Sequence, residues 1–312
     1  MASKEPLIIT GKEEMRRWSR AARAEGKSIA LVPTMGYLHQ GHLTLIRESL
    51  RYAEAIVVSI YVNPGQFSPT EDLSTYPSDF VGDIRKLRSI SGAGVDVVFH
   101  PKDLYGYGRS NSSKIDENRS EGEVVSCVEK SGNGHETWVR VERLEKGLCG
   151  KSRPVFFRGV ATIVAKLFNI VEPDVAVFGK KDYQQWRIIQ RMVRDLDFGI
   201  KVVGTEIVRD DDGLAKSSRN VRLSPEERAK ALSISKSLFS AKLAAEKGQV
   251  NCQELINSVA QSITKAGGKV DYAEIVDQEN LDLVKEIKSP AVFCVAAWFG
   301  NVRLIDNMEI NI

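Results

Sequence analysis

Through the first two-thirds of the chain, short apolar runs alternate with segments whose apolar residues recur at helical spacing. Residues 28–33 (SIALVP) read as a buried strand, and His42 to Ala53 as a helix with Leu43, Ile46 and Leu50 on one face. Residues 55–62 (AIVVSIYV) are nearly all β-branched or aromatic, as expected of a strand covered on both faces of a parallel sheet. A helix over 79–90, a strand over 95–99, a helix over 159–171, a strand over 174–179, a helix over 182–196 and a strand over 200–208 continue the series. Such alternation predicts right-handed βαβ units and an α/β fold built on a doubly wound parallel sheet.

Past Val208 the pattern changes. A polar, turn-rich stretch ends in Ser224-Pro225-Glu226-Glu227, which combines an N-cap serine, a proline at the first helical position and acids in the first turn. A helix to about Gly248 and another over 251–266 should follow, then strands at 269–277, 291–299 and 302–310. Helices followed by strands predict a second, smaller α+β domain, so the expected division is 1–207 and 208–312. Residues 105–137 interrupt the first domain with Gly, Ser, Asn and charge. They read as a surface insertion with a short strand at 123–128, two sequons at Asn111 and Asn118 taken as chance matches, and a solvated His135.

Composition narrows the class. The 312 residues are 42% hydrophobic and 27% charged, enough apolar content for real cores. A net charge of +3 is too small to imply nucleic acid as a partner. The four cysteines form no CxxC pair, the N-terminus has no apolar signal stretch, and no apolar run approaches a membrane span. The expectation is a cytosolic protein without a membrane partner.

The most informative segment is residues 32–46 (VPTMGYLHQGHLTLI), a loop between a buried strand and a helix in the first βαβ unit, where open α/β sheets bind ligands. His39 and His42, three apart, sit with Gly36 and Gly41 beside a helix start that offers free N–H groups to phosphate. Paired imidazoles there can donate to phosphate oxygens while negative charge builds. The spacing would also suit a metal, but no cysteine or third histidine accompanies it.

The motif PTMGYLHQGH resembles the His-x-Gly-His loop of the nucleotidylyltransferase superfamily, and the wider chain resembles its pantothenate synthetase (pantoate–β-alanine ligase) family. VNPGQF (62–67), residues 156–185, DGLAKSSRN (212–220) and VAAWFGNVRLIDN (295–307) match family segments in the same order. The resemblance implies a Rossmann-like sheet domain, a lid domain, a homodimer, and a two-step reaction. Pantoate would attack ATP, with Mg2+, to give pantoyl adenylate, and β-alanine would then give pantothenate. It also implies site residues. His39, His42, Lys181, Ser217, Ser218 and Arg219 would act on the phosphates; Met35, Gly41, Gly179, Asp182 and Lys216 would join them around ATP. Met35, Asn63, Gln66 and Gln185 would hold pantoate. From Lys146 to Val171 five bases and no acid add positive potential.

Taken alone, several of these residues also suit ordinary roles: a solvated Lys181, a helix-start Asp182, an interdomain linker at 216–219. Asp79 and Asp83 are candidate magnesium ligands, beside coordination mostly by water. Two departures stand out. Phe156 replaces a common family histidine, and Cys149 replaces the acid of Leu-Glu-Gly, so neither is counted as catalytic. The histidine loop alone would also fit an adenylyltransferase that keeps the nucleotide in its product, or a non-catalytic nucleotide-binding regulator. Gln66 and Gln185 favour the ligase.

Overall fold

The computed structural model describes residues 5–90, 94–106, 125–130 and 135–311. Strands β1 (Leu7–Ile9), β2 (Ile29–Thr34), β3 (Ala55–Ile60), β4 (Val97–Phe99), β5 (Val175–Gly179) and β6 (Lys201–Thr205) form one sheet in the order β1-β4-β3-β2-β5-β6. Every neighbouring pair is parallel. Around it lie helices α1 (Lys12–Ala24), α2 (Gln40–Ser49), α3 (Phe80–Arg88), α4 (Cys127–Lys130), α5 (Leu148–Ser152), α6 (Phe156–Val171) and α7 (Tyr183–Asp195). Alternation along the central strands divides the core into two layers. Leu31 and Val57 pack with Met15 of α1, Phe168 of α6 and Ile188 of α7. Ala30, Val32, Ile56 and Val58 pack with Ile46 of α2 and Ile84 of α3.

This is the expected α/β architecture, with two additions. β1 and α1 carry little sequence signal: β1 has three residues, and α1 buries only Met15, Ser19 and Ala22 in an Arg- and Lys-rich sequence. The strand order reverses between β2 and β5, which are hydrogen-bonded neighbours, so their carboxyl ends border the switch-point crevice.

The expectation for 105–137 is corrected where residues are described. Tyr105, Ser126 and Val128 are buried, Cys127 N–H donates to Phe67 O at 2.8 Å, and Glu129 pairs with Arg158. Of the strand expected at 123–128, residues 125 and 126 are irregular and 127–130 form the helical turn α4, while 123 and 124 lie outside the described residues. His135 is not a solvated residue: its ring packs edge-on against Tyr105 and Trp138, with centroids 4.8 and 4.9 Å away. Asn111 and Asn118 lie outside the described residues.

The remainder holds α8 (Pro225–Glu246), α9 (Cys252–Lys265) and an antiparallel sheet, β7 (Lys269–Asp277), β8 (Ala291–Phe299) and β9 (Val302–Ile310), in that order. Ser224 caps α8 as its sequence requires: its Oγ accepts from Glu227 N–H, and the Glu227 carboxylate accepts from Ser224 N–H. One face of β8, with Phe293, Val295, Ala297 and Phe299, packs on Ile234 and Leu238 of α8 and Val259 and Ile263 of α9. The alternating positions Cys294 and Trp298, with Tyr272 and Arg303 on the flanking strands, face the first sheet and line a cleft. Among the described residues no helix is long and apolar enough to cross a membrane.

Candidate active site

The cleft has a volume of about 830 Å³ and lies at the carboxyl ends of β2, β3 and β5, roofed by the antiparallel sheet. That size suits a nucleotide-sized ligand. Each ATP- or pantoate-contacting residue expected from the sequence lines this cleft.

β2 leads into the loop that ends in the two histidines. His39 is the N-cap of α2, and its Nδ1 accepts from Gly41 N–H at 3.1 Å. His42 Nδ1 accepts from His39 N–H at 3.2 Å. The rings lie 4.0 Å apart between centroids. Because both Nδ1 atoms accept, each neutral imidazole carries its proton on Nε2, as a donor. Burial pushes both rings away from protonation, helped for His39 by His42, Lys181 and Lys216. His39 falls to about 2. His42 falls to about 4, against an upward pull from Asp182. The pair therefore supplies neutral hydrogen-bond donors. Gly41 is required there, because a Cβ would sit 2.8 Å from the His39 ring.

Asp83 fixes the start of the same loop. Its buried carboxylate accepts from Tyr37 N–H at 2.8 Å and Leu38 N–H at 2.6 Å, holding Tyr37 at φ 51. Asp79 caps α3 by accepting from Gly82 N–H. Neither carboxylate lines the cleft, so these two magnesium candidates are spent on shaping the backbone. Among the described residues no group of three His, Cys, Asp or Glu is placed to hold a metal.

After β3 the turn Pro64–Gln66 carries the amide pair. Asn63 is fully engaged by the protein: Nδ2 donates to Gln66 Oε1 at 2.9 Å and Gly159 O at 3.1 Å, and Oδ1 accepts from Tyr105 OH and Gly65 N–H. Asn63 thus orients Gln66, leaving its Nε2 without a protein partner among the described residues. Gly159 lets α6 press on this turn; a Cβ would sit 2.2 Å from Gly65 O. Gln185, in the first turn of α7, lines the cleft and has no side-chain hydrogen bond among the described residues. Its neighbour Gln184 is structural, its Nε2 donating to Leu144 O and Gly147 O at 2.8 Å.

Lys181 and Asp182 belong to a 3-10 turn, Lys180–Asp182, between β5 and α7, and their charges lie 3.3 Å apart. The connector residues Lys216 to Arg219 reach the histidine loop, where Ser218 Oγ donates to Tyr37 O at 3.3 Å. Lys216 pairs with Asp210. Arg219 pairs with Asp72 through two hydrogen bonds of 3.1 and 3.2 Å, and Arg222 adds a third of 2.6 Å. Burial would push Asp72 up, but the two guanidiniums hold its carboxyl below the ordinary range. Sequence reasoning misses Asp72 and Arg222, since one acid in a turn-rich stretch gives no local signal of a partner 147 positions away.

The two departures also border the cleft. Arg153 stacks its guanidinium over the Phe156 ring at 3.8 Å. Cys149 Sγ lies 3.1 Å from Tyr272 OH and 3.7 Å from both terminal nitrogens of Arg303.

Residues 7–309 match the family model described as pantoate-beta-alanine ligase. Pantoate--beta-alanine ligases of Lotus japonicus and Arabidopsis thaliana are 70% and 68% identical, covering 98% and 99% of this chain and 99% of each relative. Among solved structures, a pantothenate synthetase from Thermus thermophilus aligns with a TM-score of 0.83 at 36% identity, covering 98% of this chain and all of that one. Pantoate-beta-alanine ligase from Francisella tularensis, complexed with beta-gamma ATP and beta-alanine, aligns at 0.74 with 29% identity and 97% coverage of both chains. With the family model spanning almost the whole chain and close relatives matching end to end, this chain belongs to the pantoate–β-alanine ligase family.

Proposed function

We propose that the chain condenses pantoate with β-alanine in two steps within the cleft. First a pantoate carboxylate oxygen attacks the α-phosphorus of ATP; the bond to the bridging oxygen breaks and pyrophosphate leaves. The β-alanine amine then attacks the acyl carbon of pantoyl adenylate, loses a proton, and expels AMP. The observation that supports this reading best is one cleft lined by two neutral imidazole donors, by cations that include Lys181, Lys216 and Arg219, and by the amides of Gln66 and Gln185.

The chemistry assigns the parts. Nε2–H groups of His39 and His42 would stabilise charge accumulating on the phosphates without surrendering protons. Lys181, Lys216 and Arg219 would offset repulsion between the carboxylate and the triphosphate, with the Ser217 and Ser218 hydroxyls completing the contact. Met35, Gly41, Gly179 and Asp182 would shape the nucleotide site. Gln66 and Gln185 would orient pantoate by uncharged amides, leaving its carboxylate nucleophilic. Magnesium would supply charge neutralisation on the triphosphate. The absence of a three-ligand protein cluster among the described residues fits an ion held by phosphate oxygens and water. The division at 207/208, the homodimer and the cytosolic setting belong to the same proposal.

Isotope exchange tests it. Protein with magnesium, ATP, pantoate and labelled pyrophosphate, but no β-alanine, should form labelled ATP, and omitting pantoate should abolish the signal. Gln66→Ala should raise the pantoate KM by about tenfold or more, with a smaller effect on kcat. Absence of exchange from folded protein would overturn the ligase reading, and exchange without pantoate would point to another acceptor.

A further inference from the structure

The two phosphate-facing segments, the Lys180–Asp182 turn and the Lys216–Arg219 connector, are far apart in sequence and share no regular element. Both are tied to one place on the edge strand β9. Asn307 Nδ2 donates to Lys180 O at 2.8 Å and to Lys181 O at 3.0 Å, spending both amide hydrogens on the backbone that carries Lys181. Asp306 accepts from Arg209 at 2.6 and 2.8 Å, and Arg209 also donates to Gly213 O at 3.2 Å, at the base of the connector. From there Val208 O accepts from Lys216 N–H at 2.9 Å. Successive strand residues point to opposite sides, so two neighbours on β9 can reach two separate segments. Asp306 and Asn307 are 4% and 5% exposed, and a buried polar pair of this kind persists only when its hydrogen bonds are met.

We propose that Asp306 and Asn307 are positioning residues for adenylate formation: Asn307 fixes the backbone of Lys181, and Asp306, through Arg209, fixes the connector bearing Lys216 to Arg219. The small domain is then a brace that sets the spacing of the phosphate-binding cations as well as a cover. The inference rests on the ligase reading for its kinetic arm and on the hydrogen-bond geometry for the rest.

The test uses the full-length enzyme. Asn307→Ala should lower kcat for pantoate-dependent pyrophosphate exchange by about 10- to 100-fold while the pantoate KM stays within about threefold. In a Lys181→Ala background the same substitution should cost less than about threefold, because its effect runs through that lysine. Asp306→Asn should mainly raise the ATP KM, with the rise lost in an Arg219→Ala background. Amide hydrogen exchange at 180–183 should quicken by about tenfold or more in Asn307→Ala while β3 keeps its protection. Should the alanine variant fail to fold, Asn307→Ser, which keeps one donor, should lie between wild type and Lys181→Ala in kcat. Additive losses in the double variants, or unchanged protection at 180–183, would overturn the proposal. Wild-type protein that catalyses no pyrophosphate exchange would overturn the ligase reading instead, and hydrogen exchange would still decide the positioning role.

Discussion

The histidine loop and the Lys216–Arg219 connector face the same cleft but are held in opposite ways. His39 and His42 are fixed by backbone N–H groups of their own loop, with no acid hydrogen-bonded to either ring among the described residues. Lys216 and Arg219 are each held by an acid, Asp210 and Asp72. The first arrangement is preorganised: a phosphate can accept from the imidazoles without displacing a protein partner. The second would be an exchange, since a phosphate bound as proposed would compete with a carboxylate for each cation. On the proposed reading, the site therefore pairs one wall of donors already free to bind with one whose cations must first leave their carboxylates.

The sharpest break of this contrast is removal of the fixed donors. His39→Ala and His42→Ala should each lower the forward rate by about 10²–10³-fold while the fold survives, because preorganised donors act most strongly on the transition state. Near-normal turnover from both folded variants would remove the histidines from the mechanism.

A smaller effect is expected on the exchanging side. Asp72→Asn should keep the shape of the site but release Arg219 and Arg222, lowering the ATP KM by about three- to tenfold. It should also lower thermal stability by about 1–3 kcal/mol, as these partly buried guanidiniums lose the carboxylate charge and one of its two acceptor oxygens. An unchanged ATP KM would show that Asp72 does not compete with phosphate.

The smallest effect separates the two sides by pH. Both histidines have folded values below the ordinary 6.5, so the unfolded chain takes up their protons first. Their stabilising contribution is present above pH 6.5 and is lost as pH falls toward about 4 for His42 and about 2 for His39. Imidazole nitrogen shifts in NMR should accordingly report neutral, Nε2-protonated rings at a pH of about 5.5, between the folded values and the ordinary one. A ring charged at that pH in the free enzyme would contradict the neutral-donor assignment.

How the chain announces these features follows from the range of the forces involved. Buried parallel strands such as 55–60 are legible because both faces are apolar, and α8 because its capping residues are consecutive. The histidine loop is legible for the same reason: its ring partners, Gly41 N–H and His39 N–H, lie within three residues. The sequence also places Gln66 after a strand end, but not the internal consumption of Asn63, whose partners Tyr105 and Gly159 come from distant elements.

By itself, then, the sequence determined the alternation of strands and helices, the second domain's helices-then-strands order, and the loop chemistry that marks the family. The tertiary structure decided which charges meet. Only folding brings Asp72 to Arg219, turns Asp83 from a metal candidate into a clamp on Tyr37 and Leu38, buries Val128 within an outwardly polar segment, and carries Asn307 to the backbone of Lys181. Local propensity and apolar periodicity act over a few residues and leave a readable pattern. Ion pairs and buried hydrogen bonds depend on where separate elements pack, and one-dimensional spacing carries no record of that.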